Sequence, residues 1–569
     1  MRNAKKHGQD SLEFLVKVGT LIRALVVILG LSAVTPHALA QGLDAASVAV
    51  LPAPRIAFSE QEMALARAVA REPGLADFYG SNGLRPIFLG ADGARRRAAL
   101  IEALGQAPSH GLPPARYGQL DLQRIDDRLR SAVPETAPET APADIPARIA
   151  DELQFGQAFA RWTHDVSGGI LDPRKVESGI KRVVNRPPTG EVMRDFAQSG
   201  DPAAVLARLP LQDARYESLR KALIRSSGLI APQGVPKVPE GLWRPGVSDA
   251  AVATLRVRLA SIGFAAVPSA SPTTFDQPLA DAVAGFQQAA GLPADGVAGP
   301  RTVARLNQGT SASADAILVA LERMRWMAGH DLNARHVWVN LPEYNARIME
   351  NGREVFETRT VIGKANQEFE TPEFTENMQF LVVNPRWNVP RSIMVKEYLP
   401  RLQANRNAVG HLDVVDSAGR VIGRDRVDFR KYTAANFPYR MRQKPSDDNA
   451  LGVVKFMFPN PWNIYLHDTP TKHLFNNETR AYSHGCIRIG RPIDLAHELL
   501  RPQLDDPEAV FAKALASGRE TYLNLRPPVP VHLVYFTAFP DDEGRIHRYP
   551  DIYGRDALVR AALAKAGLQ

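Results

Sequence analysis

The sequence predicts a multidomain α+β protein: a helical N-terminal scaffold, a three-helix module, and a β-rich C-terminal domain that carries an insertion. Three observations lead to this expectation. The chain has 569 residues, several times the ~150 residues of an average domain, so it holds more than one core. Apolar residues recur at helical spacing through the first half, and the period switches to two from Val337, as in Val337-Trp338-Val339-Asn340-Leu341. The composition, 45% hydrophobic, 23% charged and 7% aromatic, suits folded globular protein and excludes a disordered, collagenous or multi-span membrane chain.

The N-terminus comes first. Arg2, Lys5, Lys6, Lys17 and Arg23 precede an apolar run from Ala24 to Val34, and Ala38-Leu39-Ala40 stands before Gln41. This is the order of a cleaved secretory leader over residues 1–40. Membrane attachment is expected only if that leader is uncleaved, and the run is shorter than the ~20 residues a spanning helix needs. The net charge is +8, of which the leader contributes three, leaving +5 on the remainder. An excess that mild and dispersed lacks the concentrated basic stripe of a nucleic-acid binder. Cys486 is the single cysteine, so no internal disulfide forms.

Residues 41–240 read as a helical scaffold domain. Helical spacing runs from Ser59 to Gly105, broken at Phe78-Tyr79-Gly80 and Leu84-Arg85-Pro86. A Pro/Ala-rich loop is expected at 133–146. The helical pattern resumes from Ile149 through Trp162, breaks at Ser167-Gly168-Gly169, and returns between Pro202 and Leu229. A proline-rich linker at 232–239 leads into a module over 241–310. There Val252, Leu255, Leu259 and Ile262 share one helical face, and Leu279, Val283 and Phe286 share a second. A third helix starts at Pro300.

Residues 311–569 form the strand-dominated domain. Phe380-Leu381-Val382-Val383 and Val531-His532-Leu533-Val534-Tyr535-Phe536 read as strands, the latter as the last one, with Asp541-Asp542-Glu543-Gly544 as a turn after it. Between about 400 and 449 lies a polar, Arg-rich stretch with few periodic apolar residues, read as an insertion that covers a site.

The chemistry concentrates in Ile464-Tyr465-Leu466-His467-Asp468 and Ser483-His484-Gly485-Cys486-Ile487-Arg488-Ile489. Strand alternation puts Tyr465 with His467 on one face, and Cys486 with Arg488 on another. A thiol at its ordinary pKa of ~8.5 is only a few per cent thiolate at neutral pH, so a nucleophilic cysteine needs an imidazole, a cation or backbone dipoles beside it. This segment offers all three. We read Cys486 as nucleophile, His467 as the base that takes and returns its proton, His484 as an orienting residue and Gly485 as the close-approach point of an oxyanion region. Arg488 either favours the thiolate or binds a substrate carboxylate. Tyr465, Ser483 and Asp468 are expected to contact substrate. The competing reading is a zinc site drawn from His467, Asp468, His473, His484 and Cys486, but the H-x-x-x-H and C-x-x-C spacings are missing, so neither metal nor cofactor is expected.

Two resemblances follow from these residues. Phe286-Gln287, Gly291-Leu292, Asp295-Gly296, Gly299-Pro300 and Thr302 resemble the signature of type 1 peptidoglycan-binding domains; a plain helical spacer is the alternative. Histidine, a short span, then Ser-His-Gly-Cys-x-Arg resembles the active-site signature of L,D-transpeptidases, in particular a large periplasmic, lid-bearing subgroup. Leu321-Glu322-Arg323-Met324-Arg325-Trp326, Asn384-Pro385-Arg386-Trp387-Asn388-Val389-Pro390, Gln443-Lys444-Pro445 and Asn449-Ala450-Leu451-Gly452 extend the likeness. Gly490, where many members have Asn, and Ser446, where Gly is usual, depart from it. The resemblance implies periplasmic location, peptidoglycan stem peptides and glycan as partners, 3–3 cross-linking through a thioester, and acylation by carbapenems. Hydrolysis of the same acyl-enzyme, as an L,D-carboxypeptidase or endopeptidase, and non-catalytic wall anchoring are the rival readings.

Overall fold

The computed structural model describes residues 58–90, 92–131, 144–227, 234–264, 266, 271–290, 292–307 and 312–568. The expected leader, most of the 133–146 loop and the start of the linker lie outside the described residues. No helix among the described residues is long and apolar enough to cross a membrane.

The N-terminal scaffold is helical. Its first helix, Glu60–Val69, opens with a reciprocal cap: the Ser59 hydroxyl accepts from the Glu62 N–H, and the Glu62 carboxylate accepts from the Ser59 N–H. The axis of the domain is α1 (Ile145–Gly168), which buries Phe155, Phe159, Trp162 and Val166. Phe88 and Phe196 pack into the same core. One carboxylate, Glu152, is fully buried among these rings. It accepts from the backbone N–H groups of Ile87, Phe88 and Leu89 at 2.7–3.1 Å and from the Tyr79 hydroxyl at 2.5 Å. Those amides belong to a segment outside regular structure and would otherwise be buried unpaired. α1 ends at Gly169, whose φ of 86° suits glycine. A Cβ there would stand 2.5 Å from a Glu322 carboxylate oxygen.

After α2 (Ala214–Ser227) come the three helices of the module, Ala250–Ser261, Gln277–Ala289 and Pro300–Asn307, closed around Val252, Leu255, Val283, Phe286 and Val303. Buried Gln287 donates to Asp295 and to the Thr302 hydroxyl and accepts from the Gly296 N–H at 2.9 Å. One amide thus ties the Asp295-Gly296 turn to the third helix.

α3 (Ala312–Arg325) joins scaffold to C-terminal domain. Buried Arg325 donates to the His110 carbonyl at 2.8 Å and pairs with Glu322, which also accepts from the Leu171 N–H at 2.9 Å. Buried Arg323 pairs with Glu373 at 2.6 Å and with Asp556 at 3.2 Å, facing the other domain. Buried Arg182, from the scaffold side, donates to Thr375 and to the Leu533 carbonyl, both at 2.8 Å.

The C-terminal domain is built on a nine-stranded mixed sheet. Its strands are β1 (His336–Asn340), β2 (Asn345–Glu350), β3 (Arg353–Gly363), β4 (Phe374–Val383), β8 (Val454–Met457), β9 (Leu466–His467), β10 (Ala481–Ser483), β11 (Ile487–Ile489) and β12 (Thr521–Val534). They lie in the order β10-β3-β11-β9-β8-β4-β12-β1-β2. The β12–β4 ladder shifts register between Asn524 and Val529, where Pro527 and Pro528 have no N–H to give. β12 is not the last strand. Three-residue strands Ala538–Pro540 and Ile546–Arg548 follow, joined by the expected turn, and then helix Arg555–Lys565. Segments that short carry no readable period.

The insertion has a core of its own. β5 (Trp387–Asn388), β6 (Leu412–Val415) and β7 (Arg440–Gln443) form a small sheet in the order β5-β7-β6, backed by a helix over 391–404 and packed around Met394, Leu402, Val414, Phe429, Phe437 and Met441. The core therefore draws on residues before 400 as well as on 400–449. One of its arginines ties the fold together: Arg424 donates to the carbonyls of Arg406, Ala408, Val409 and Leu412 at 2.6–3.0 Å.

Candidate active site

β9 and β11 run side by side and parallel, with Leu466 opposite Ile487 and His467 opposite Arg488. Leu466, Ile487 and Ile489 are fully buried in the core of the domain. Strand alternation then sends Tyr465, His467, Cys486 and Arg488 to the opposite face, where all four line one cavity of about 310 Å³. Trp387, Ile393, Glu397, Tyr398 and His411 of the insertion close its far side.

The nucleophile candidate sits in a braced loop. Gly485 has φ 107°, and a Cβ there would meet the Ile464 side chain at 3.2 Å. Ser483 Oγ donates to the Cys486 carbonyl at 2.5 Å and accepts from the Gly485 N–H at 3.1 Å. Thr371 Oγ1 donates to the Gly485 carbonyl at 2.8 Å. The Cys486 thiol points its S–H at the Asn463 carbonyl, 3.6 Å away. Burial pushes this thiol up to about 11; the Tyr465 N–H and hydroxyl and the Arg488 charge pull the other way without offsetting it. Loss of hydration outweighs those neighbours, so the thiol rests protonated.

His467 is buried, and its Nδ1–H donates to the Asp468 carbonyl at 2.5 Å. That bond leaves the lone pair of Nε2 available. Burial, with Arg488 beside it, lowers the imidazole to about 3, so it is neutral at ordinary pH. A neutral thiol and a neutral imidazole share the cavity, a pair suited to proton transfer at the moment of attack rather than before it. Burial and the nearby sulfur keep the Tyr465 phenol protonated and able to donate.

Arg488 Nη1 donates to Thr471 Oγ1 at 2.9 Å, while its buried Nε has no partner. That leaves a guanidinium edge for an anionic group. His484 lines the cavity, and its Nε2 lies 2.6 Å from a Glu397 carboxylate oxygen of the insertion. The other two expected substrate contacts differ. Ser483 reaches the cavity, yet its hydroxyl is engaged within the loop. Asp468 does not line the cavity: its carboxylate accepts from the N–H groups of Val453 at 2.9 Å and Thr469 at 2.6 Å and pairs with Lys472. Its place is to fix the turn after His467. Among the described residues, no group of three or more His, Cys, Asp or Glu is placed to hold a metal ion.

Sequence reasoning missed Thr371 and Glu397, which come from a loop and from the insertion far along the chain, and Thr471, which follows His467 by four residues. It also missed Asn460, whose side chain bonds the Phe458 and Ile464 carbonyls at 2.7 Å and accepts from the Ile464 N–H at 3.1 Å, shaping the approach to β9. The Asn460-Pro461 pair was the available signal.

Three family models match the chain. Residues 334–516 match the L,D-transpeptidase catalytic domain (YkuD), residues 73–223 a scaffold domain, and residues 248–306 a "Putative peptidoglycan binding domain". A Haemophilus influenzae protein named "Putative L,D-transpeptidase" is 35% identical over 228 residues, which is 40% of this chain and 45% of that protein. The match thus spans less than half of that relative. L,D-transpeptidase structures from Xylanimonas cellulosilytica (16% identity, 52% of this chain, 98% of that chain, TM-score 0.14) and Stackebrandtia nassauensis (14%, 52%, 96%, 0.16) also align. TM-scores that low say nothing of the fold.

Proposed function

We propose that this chain, which carries an L,D-transpeptidase catalytic domain together with scaffold and peptidoglycan-binding domains, transfers acyl groups between peptidoglycan stem peptides through a thioester on Cys486. The observation that supports this reading best is that Tyr465, His467, Cys486 and Arg488 share one face and one cavity beneath the insertion. Cys486 Sγ attacks the carbonyl of the third stem residue as His467 Nε2 takes the thiol proton. The Cys486 N–H and the Tyr465 hydroxyl stabilise the oxyanion. The C–N bond to the terminal D-alanine breaks, and the proton held on His467 goes to the departing amine. The side-chain amine of diaminopimelate on a second stem then attacks the thioester. The C–S bond breaks, a proton returns to sulfur through His467, and a 3–3 cross-link remains.

Arg488 holds a substrate carboxylate with the edge that Thr471 leaves free. The peptidoglycan-binding domain keeps the catalytic cavity near polymeric substrate, which raises its effective concentration. On this reading the chain works in the periplasm, where the polymer lies, and carbapenems acylate the same thiol. The test is purified protein with tetrapeptide muropeptides, read by mass spectrometry. Dimers are expected from the parent and none from Cys486→Ala. Dimers from that variant would overturn the reading, and free tripeptide in place of dimers would assign hydrolysis.

A further inference from the structure

The loop that carries Cys486 is held from two sides by its own domain, through Ser483 and through Thr371. A third restraint comes from the insertion. Glu397 Oε1 accepts from His484 Nε2 at 2.6 Å, and the imidazole must be the donor because a carboxylate offers only acceptors. The neighbouring residue of the insertion, Lys396, pairs with Glu368 in the segment that flanks the same loop. Phe369 of that segment meets the His484 ring edge-on, centroids 4.5 Å apart, with Lys364 over the Phe369 ring. Two consecutive side chains of the insertion thus clasp the rim of the cavity at two points.

The sequence explains why these two are aimed there. The helix over 391–404 widens into a π turn at Met394–Tyr398. Pro400 has no N–H for the Lys396 carbonyl, and its ring obstructs the ordinary α turn at that point. The wider turn re-aims Lys396, Glu397 and Tyr398, so that Glu397 and Tyr398 line the cavity while Lys396 reaches Glu368. The Glu397 and His484 side chains are 43% and 27% exposed, so their bond breaks and re-forms cheaply, unlike the internal arginine contacts of the insertion.

We propose that Glu397 is a positioning residue supplied by the insertion: through His484 it completes the restraint on the Gly485-Cys486 backbone, so the thiol and its oxyanion-binding N–H are set for reaction only while the insertion is seated. This rests on the reading of Cys486 as the acylated nucleophile.

The experiment uses the full chain and two readouts. Iodoacetamide alkylation at pH 9, followed by intact-mass spectrometry, reports access to Cys486 without substrate. Muropeptide turnover reports the reactive geometry. Glu397→Ala is expected to alkylate roughly threefold or more faster, because the cavity opens, and to turn over about tenfold more slowly with KM nearly unchanged. Glu397→Gln, which keeps an acceptor for His484, is expected to stay within about threefold of the parent in both. The Glu397→Ala, His484→Ala double variant is expected to be no slower than His484→Ala alone. The proposal is overturned if Glu397→Ala matches the parent in both readouts, if both rates fall together, or if the two substitutions are additive. An alkylation increase in a chain that makes no cross-links would support the clasp while refuting the transferase reading.

Discussion

The resting state of Cys486 can be tested by titration. With its thiol pushed up to about 11, the thiolate fraction at pH 7 is roughly one in 10⁴, against a few per cent for a free cysteine near ~8.5. The second-order rate of iodoacetamide alkylation at pH 7 should therefore fall about two orders of magnitude below that of a free thiol. It should climb close to tenfold per pH unit from 7 to 9 without reaching a plateau. His467, lowered to about 3, stays neutral over that range and forms no imidazolium partner. His467→Ala should accordingly leave this alkylation profile nearly unchanged while lowering muropeptide turnover by roughly 10²–10⁴. Alkylation read by intact mass at each pH, with Cys486→Ala as the blank, makes the measurement. A plateau at or below pH 7 that disappears in His467→Ala would mean a pre-formed thiolate–imidazolium pair and would refute the reasoning.

Further outcomes follow from the same geometry. His336 is fully buried and lowered to about 4 by burial. The unfolded chain takes up a proton near pH 6.5 that the folded chain refuses, so stability present above that pH is lost as pH falls towards 4. The loss is on the order of 3 kcal/mol, seen as a falling urea midpoint. It should shrink in His336→Asn, which keeps a donor for the Ala334 carbonyl. Tyr465→Phe should slow acylation about 10–100-fold with KM little changed, measured by stopped-flow acylation. Arg424→Met removes donors from four carbonyls and should release hydrogen-exchange protection throughout the insertion while the nine-stranded sheet keeps its own.

What could be read from the sequence depended on how local the physics was. The alternation of Ile464, Tyr465, Leu466 and His467 is enforced by strand geometry, so residue spacing alone assigns the two faces, and the core does hold Leu466 and Ile487. The break at Ser167-Gly168-Gly169 was legible because the positive φ at which the helix ends, 86° at Gly169, suits glycine. By contrast, the 400–449 stretch is polar along most of its length, and the buried residues of its core, such as Leu402, Val414, Phe429 and Phe437, follow no simple period. Arg424 also points its guanidinium at carbonyls of the same stretch, a use that composition does not reveal. Asp468 was read as a substrate contact because it adjoins His467, but its acceptors are occupied by amides brought near by the fold. Glu397 was out of reach, since 87 positions separate it from His484.

The charges that α3 buries on both of its sides bear on how the protein can be divided. Arg325 and Glu322 face the scaffold, whereas Arg323 faces Glu373 and Asp556. A fragment trimmed to start near the catalytic segment would lose both sets. Asp556 would lose its ion-pair partner and Glu373 one of its two, keeping only Arg555, and the apolar surface that α1 and α2 shield would be bared. Expression of that piece alone should give aggregated or easily digested material, and the shortest well-behaved version of the protein is one that keeps its helical half.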